Sequence, residues 1–379
     1  MISLYSRKTE TDLTIRKKES MDKYVDLIQW GRENPTKFIE EIFGIQLIDF
    51  QKNLILGTWT SNRAVWCAAR NSGKSFLVAI YAMLRALLLP NCTIYIVSNS
   101  ADQAQATFNK ICKLCRGEEQ SVQTDPCMFY NELVKSNANT DGFIKKQGNY
   151  SLTLFNGSTI QTLAANPDTA RGRRANVVIF DEAAYVSDVM YQACLPFINQ
   201  DPNFKTGKGF NSKVHPKTFN NQIIMCSSAG SVNTECYRAY RQCIINSIIG
   251  YPGYYAADIN CEMTLHPYIN GKPVPAIANK AEMEMIKDTD IRKYNTEFMN
   301  LWTDMESPDS LLQRSVIIRN EKKYLPETAS TDKEKKYVVC WDPAVQHDNS
   351  IVLVGLTQTK TALDTSVFMT ANLTPMSMT

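Results

Sequence analysis

The spacing of apolar positions changes period along the chain, and each change marks an element. From residue 21 to about residue 45 the apolar positions recur at helical spacing. Pro35 opens a second helix over residues 36–43, and Gly44 stops it. A further helix begins at Ile48. It leads into a short apolar run, Ala64-Val65-Trp66-Cys67, which reads as a buried strand. After the loop 68–75 comes a continuous apolar helix starting at Phe76. Residues 93–98 are β-branched and aromatic, bounded by Pro90-Asn91 and Asn99, and predict a strand; residues 100–116 predict a helix. Residues 117–150 are polar and irregular. Residues 151–155 and 158–163 alternate on either side of Asn156-Gly157, a dipeptide favoured in type I′ hairpin turns. Residues 177–180 are apolar throughout, as strands buried on both faces are, and residues 221–226 read as another buried strand with its apolar run from Ile223 to Cys226.

Strands alternating with helices predict an α/β fold, a mostly parallel sheet with helices on both faces. Residues 231–304 read as helix-rich, with a periodic pattern from Glu282 to Trp302, and suggest a helical lid. Charge and proline density rise over residues 305–336, as in a linker. Residues 337–342 and 350–356 then read as strand, turn, strand, the opening of a second domain. Beyond Leu356 the pattern weakens into Thr-, Met- and Ala-rich sequence. The predicted organisation is a flexible arm (1–20), a main domain (21–304), a linker (305–336) and a second domain (337–379). A length of 379 residues accommodates two domains.

Composition narrows the class only slightly. The net charge of +3 neither demands nor excludes nucleic acid, because clustering on one face is what matters. No apolar run reaches the roughly 18 residues of a membrane span, and the opening residues hold no apolar signal core. Neither a membrane nor secretion is therefore expected. Eleven cysteines are scattered without a framework, as reduced thiols are. Cys112 and Cys115 form a CxxC with Cys127 beyond, yet no fourth ligand stands at zinc spacing, and core thiols on a helix are the expectation.

Chemistry concentrates at the strand ends. Ala68-Ala69-Arg70-Asn71-Ser72-Gly73-Lys74-Ser75 lies between a strand and a helix, the context of a loop that aims backbone N–H groups at phosphate oxygens. Lys74 would reach the β- and γ-phosphates and Ser75 would ligate Mg²⁺. The pattern GxxxxGK[ST] wants glycine where Ala68 stands. Asp181-Glu182 ends a buried strand. A nucleotide hydrolase needs one acid for the metal and one to orient water, which would assign Asp181 to the metal and Glu182 to the base. Arg70 could neutralise transition-state charge in cis, or could be a surface contact to the sheet edge or DNA. Gln51 could read an adenine edge or lie on a helix surface. Arg171, Arg173 and Arg174 suggest contact with nucleotide or nucleic-acid phosphates, against a merely solvated basic loop. Ser227-Ser228-Ala229-Gly230 could sense the γ-phosphate, or be only a turn. Asp342 could be the first metal carboxylate of a two-metal nuclease.

In order, Gln51, Arg70 to Ser75, Arg171-Gly172, Val178 to Ala184, Ser227 to Gly230 and Trp341-Asp342-Pro343-Ala344 resemble the large terminase subunit of tailed bacteriophages. The resemblance spans roughly residues 35–356, and variants of its loop lacking the first glycine but carrying arginine match Ala68 and Arg70. It implies a RecA-like ATPase of the additional-strand type, followed by an RNase H-like nuclease. ATP and Mg²⁺ would bind at Asn71, Ser72, Gly73, Lys74 and Ser75, with Gln51 on adenine, Arg70 as the cis arginine and Asp181-Glu182 as the acid pair. Ser227, Ser228 and Ala229 would form the coupling motif. Asp342 would begin a nuclease site using Mg²⁺ or Mn²⁺. The 37 residues after Asp342 hold only Asp348 and Asp364 as further acids, so an incomplete and inactive nuclease is expected. The resemblance further implies double-stranded DNA, the portal and procapsid, and a small terminase subunit as partners. It also implies a homo-oligomeric ring during packaging, with a monomer possible in isolation, and action in the cytoplasm of an infected or lysogenic bacterium. Two other functions fit parts of the pattern: a helicase-like translocase, and an idle relic that only binds DNA or portal.

Overall fold

In the computed structural model, residues 15–118, 127–137, 139–146, 149–163, 166–200, 202, 204, 219–303, 336–342, 349–358 and 363–373 are described. The predicted arm is in part helical, because α1 (Ile15–Glu33) starts before residue 21; residues 1–14 and most of the predicted linker lie outside the described residues. Helices α2 (Pro35–Ile42) and α3 (Asp49–Trp59) lead into β1 (Arg63–Ala68), α4 (Lys74–Leu88), β2 (Thr93–Val97) and α5 (Ala101–Arg116). Then come α6 (Met128–Asn131), β3 (Phe143–Lys146), β4 (Asn149–Thr153), β5 (Thr159–Leu163), α7 (Pro167–Ala170), β6 (Val177–Asp181) and α8 (Asp188–Cys194). After these the chain forms β7 (Gln222–Ser227), α9 (Glu235–Ile248), β8 (Tyr254–Ile259), α10 (Cys261–Leu265), the small hairpin β9 (Tyr268–Ile269) and β10 (Lys272–Pro273), α11 (Lys280–Thr289) and α12 (Ile291–Glu297).

Alternation within single strands divides the interior into two cores. Trp66, Ile96, Ile179 and Ile224 face α1 to α5, while Val65, Val97, Phe180 and Met225 face α8 and α9. A strand buried on both faces carries no polar position, which is why these runs are continuously apolar. The sheet order is β3-β4-β5-β2-β6-β7-β1-β8. From β5 to β8 every pairing is parallel, and β3 and β4 are antiparallel additions at one edge. Nearest-neighbour order reverses around β1, β6 and β7, so their C-terminal ends open a crevice of the kind that receives ligands in α/β sheets.

Four local expectations need correction. The Asn156-Gly157 turn is not type I′, because only Gly157 takes a positive φ (86°), whereas type I′ needs two. Asn156 is turned inward instead, donating to Ala86 O at 2.8 Å and Leu87 O at 3.2 Å. Residues 117–150 are not wholly irregular, since they include α6 and β3. Three of the four β3 residues are exposed, two of them Lys145 and Lys146, so an edge strand reads as loop. The segment 231–304 is not helical throughout: β8 joins the main sheet beside β1. Its half-exposed edge position requires no apolar run. In a separate compact unit, residues 311–379, β11 (Lys336–Asp342), β12 (Asn349–Gln358) and β13 (Leu363–Leu373) form an antiparallel meander. The weak pattern beyond Leu356 thus contains a third strand.

Helix α4 is buried almost from end to end. Its last carbonyls cannot reach water and must find partners inside the protein. Arg32 Nε donates to Leu88 O at 2.8 Å, Ser158 Oγ to Leu89 O at 2.8 Å, and Asn156 covers Ala86 and Leu87. Cys112, Cys115 and Cys127 are buried thiols packed in the α4–α5 core. Asn156→Ala removes two of the side-chain bonds at the end of α4. Urea unfolding should show a loss of roughly 1–3 kcal/mol.

Candidate nucleotide site

The loop after β1 is built by three backbone decisions. Ala68 is the last β1 residue and pairs with Ile259 of β8, its methyl buried in the core. Its backbone is ordinary strand, and among non-glycine residues of the loop only Asn71 has positive φ. Glycine is therefore not required at position 68, which removes the one weakness of the motif. The left-handed turns fall at Asn71 (φ 65°) and Gly73 (φ 83°), residue types that tolerate them. Ser72 N closes the loop on Ala69 O at 3.2 Å. Gly73 is the N-cap of α4, so the first N–H groups of α4 have no helical acceptor and face the loop.

Lys74 folds back over this loop, donating to Ala68 O at 2.9 Å and Ala69 O at 3.2 Å. Ser75 stands in the first turn of α4, partly buried. The Ser72 hydroxyl is buried without a hydrogen-bond partner among the described residues. Gln51 accepts from Ile48 N at 3.2 Å, and its Nε2 would lie 3.5 Å from a Cβ at Gly73. It is thus not a helix-surface glutamine; it is buried against the loop. Arg70 is more than half exposed and pairs with Glu297 of α12 at 2.8 Å. Its backbone N–H also donates to Glu297 O at 2.7 Å. The side-chain bond to the Glu297 carboxylate holds the guanidinium still more firmly protonated.

Asp181 ends β6 with its side chain buried. Its Oδ2 accepts from Thr107 of α5 at 2.6 Å, and its Oδ1 is buried without a partner among the described residues. Glu182 follows in a left-handed conformation (φ 55°, ψ 47°), unusual for glutamate and a mark of local strain. Burial pushes its carboxyl up, Lys74 nearby pulls it down, and the Asp181 and Glu297 charges push it up. Glu182 thus lies within electrostatic reach of the loop lysine. Ser227 Oγ accepts from Ala184 N at 3.2 Å, and a Cβ at Gly230 would meet the Ala184 methyl at 3.0 Å. The turn after β7 is therefore packed tightly on the turn after β6. Ser228 and Ala229 are buried within it.

The structure brings Gln51, Arg70 to Ser75, Asp181, Glu182 and Ser227 to Ala229 to one end of the sheet. It does not bring Arg171, Arg173 and Arg174 there. They line an open cleft with Gln192, Phe197 and Gln200, and Arg174 also lies beside Asn91, Thr93 and Asn176 at the N-terminal ends of the strands. The guanidinium of Arg173 sits 5.5 Å from the Tyr95 ring centroid. The three arginines precede β6, whereas Asp181 and Glu182 lie at its other end. Asp342 closes β11 in the separate unit, opposite Ser350; Asp348 lies outside the described residues.

Three participants were not legible in the sequence. Thr107 and Glu297 sit on helices at positions that only the fold places beside the loop and the acids. Asn300 donates to Cys67 O at 3.2 Å and Asp258 Oδ1 at 2.8 Å, pinning the segment after α12 to β1 and β8. Its backbone takes a positive φ (56°), which asparagine tolerates.

The fold is a mostly parallel α/β sheet of the RecA-like kind. Residues 57–195 match the family described as terminase large subunit, ATPase domain. Over that segment the chain is similar to the terminase large-subunit ATPase family. Among solved structures it is similar to the large terminase of bacteriophage HK97, with 16% identity over 89% of this chain and 67% of that one and a TM-score of 0.52. The large terminase ATPase domain of Thermus phage P74-26 is 16% identical, over 70% of this chain and 98% of that one, with a TM-score of 0.45. The large terminase of a thermophilic bacteriophage, solved with ADP, is 11% identical over 85% of this chain and 69% of that one, also with a TM-score of 0.45. No curated protein matches the chain by sequence. Among the described residues no helix is long and apolar enough to cross a membrane.

The Glu182 environment has a consequence for stability. A carboxyl pushed up in the folded state binds its proton more tightly there than in the unfolded chain. Its contribution is then most favourable at low pH and is lost as pH rises through the folded value. Glu182→Gln should be more stable than wild type at neutral pH, and the difference should vanish below the carboxylate range. Urea unfolding of both proteins across that range checks this.

Proposed function

We propose that this chain is an ATP-hydrolysing motor that moves viral double-stranded DNA into a procapsid. The observation that carries the reading is the meeting of the Gly73-Lys74-Ser75 loop with Asp181-Glu182 at one sheet end, inside the matched ATPase segment. ATP phosphates would lie against the N–H groups of the α4 N-terminus. Lys74 would exchange the carbonyls of Ala68 and Ala69 for phosphate oxygens, and Gln51, beside Gly73, would face the adenine. Glu182 would hold the attacking water and take its proton, as in-line displacement requires. Arg70 would leave Glu297 to offset charge on the transferred phosphoryl group.

Magnesium would be held by Ser75 and, through water, by Asp181, whose orphaned and buried Oδ1 suits that charge. It would supply neutralisation of the phosphate oxygens. Release of phosphate would be felt at Ser227, Ser228 and Ala229, the turn packed on the residues after Glu182. From there the backbone leads on: Thr303 N donates to Gly230 O at 3.0 Å, and Val232 N to Thr303 O at 2.9 Å. Segment 231–304, with α11 and α12, would be the lid that moves. We place the motor, as a ring of copies on a portal and procapsid with a small terminase subunit, in the cytoplasm of the bacterial host. Arg171, Arg173 and Arg174, away from this site, would meet DNA phosphates. Asp342 would be the first carboxylate of a nuclease site for Mg²⁺ or Mn²⁺.

Purified protein should hydrolyse ATP, faster with double-stranded DNA. Lys74→Ala and Glu182→Gln should fall to background with circular dichroism unchanged, and Arg70→Ala should lose roughly a thousandfold in kcat. Turnover near wild type in a Lys74→Ala/Glu182→Gln double variant would overturn the assignment.

A further inference from the structure

We infer that Thr107 is a positioning residue for Asp181, fixing the carboxylate plane so that one oxygen stays turned toward a nucleotide-bound magnesium ion. The inference rests on the ATPase reading above.

Thr107 and Asp181 are almost wholly buried, at 2% and 3% exposure. The 2.6 Å bond from the threonine hydroxyl is a short, charge-assisted one. The terminal torsion of an aspartate is broad and nearly two-fold, so a carboxylate anchored only through its Cβ can present either oxygen in a range of planes. A hydroxyl on Oδ2 removes that freedom. If the bond served only to satisfy a buried acid, both oxygens would be partnered, since an orphaned buried acceptor is costly. Instead Oδ1 has no partner among the described residues, at the end of the sheet where the phosphate loop lies.

The anchor itself is stiff. Threonine is restricted about χ1, and its neighbours Phe108 and Ile111 are buried in the core that α5 shares with α4. Asp181 falls on the same face as Val177 and Ile179, the face on which that core lies. The helix following β2 thus reaches across to the end of β6. It carries no part of the loop or of the acid pair, and its effect is exerted entirely through Asp181.

The test is equilibrium binding of a fluorescent ATPγS analogue to the whole chain, with and without Mg²⁺, for wild type, Thr107→Val, Thr107→Ala and Thr107→Ser. Removing a group that orients a metal ligand typically costs about 10–100-fold in metal affinity, and Thr107→Val should lose that much of the Mg²⁺-dependent affinity. Binding without Mg²⁺ should stay within about twofold, and Thr107→Ser should recover most of the loss. Wild-type Mg²⁺ dependence in Thr107→Val, or equal losses with and without Mg²⁺, would overturn the inference while leaving the ATPase reading intact. Failure of both hydroxyl-free variants to fold would make the bond a requirement of folding and overturn it likewise. A wild-type chain that binds no nucleotide in either condition overturns the ATPase reading and, with it, this inference.

Discussion

The site depends on the burial of one helix. α4 follows the loop after β1 directly and is enclosed along nearly its whole length, so its position is set by packing rather than by solvent. Densely packed interiors transmit such constraints without slack. Its last carbonyls are held by Arg32, Asn156 and Ser158, drawn from distant parts of the chain. With the far end fixed, the N–H groups of the first turn have a fixed origin and direction. A phosphate loop needs that, because its donors are backbone groups that no rotamer change can re-aim.

The same rigidity gives meaning to the mobile contacts at the near end. Lys74 and Arg70 are the two cations of the loop, and each holds a protein partner that phosphate could replace: loop carbonyls for one, Glu297 for the other. Glu297 belongs to α12, and the segment after it is bonded through Asn300 to β1 and through Thr303 to the turn at Gly230. The loop, β1 and the turn at Gly230 are therefore each hydrogen-bonded to α12 or to the segment that follows it. In the proposed motor, an exchange of Arg70 from Glu297 to phosphate would be felt at α12 without a long pathway. The exposed Arg70–Glu297 pair is itself worth little to stability, as surface pairs are, which suits a contact made to be exchanged.

Much of this was readable from residues alone. Continuous apolar strands, the helical run after Ser75 and the acids after Phe180 each carry a local signature. Burial on both faces of a parallel strand permits only apolar side chains, and a loop that turns twice permits few residue types. The pattern also failed in an orderly way. β3 and β8 were missed because edge strands tolerate polar and half-exposed residues, and β13 because its Thr-rich sequence lacks a strong apolar face. Asn156-Gly157 suggested the wrong turn because the asparagine side chain is turned inward, its amide donating to the end of α4 while its oxygen accepts from Ser158 N.

By itself, the sequence set a lysine, a serine and two acids beside strand ends, where an α/β sheet collects its ligands. Their residue types follow from the chemistry of phosphate, which does not depend on the rest of the fold. Only the tertiary structure decided which groups cooperate. It put Thr107 on Asp181, Glu297 on Arg70 and Gln51 beside Gly73, and it carried Arg171, Arg173 and Arg174 away from the nucleotide end. Such pairings join residues far apart in sequence, and their geometry is set by how helices pack on the two faces of the sheet. No local pattern records that packing. For the same reason Ala68 looked like a defect in the motif, while in the fold it is a strand residue whose methyl group fills the core.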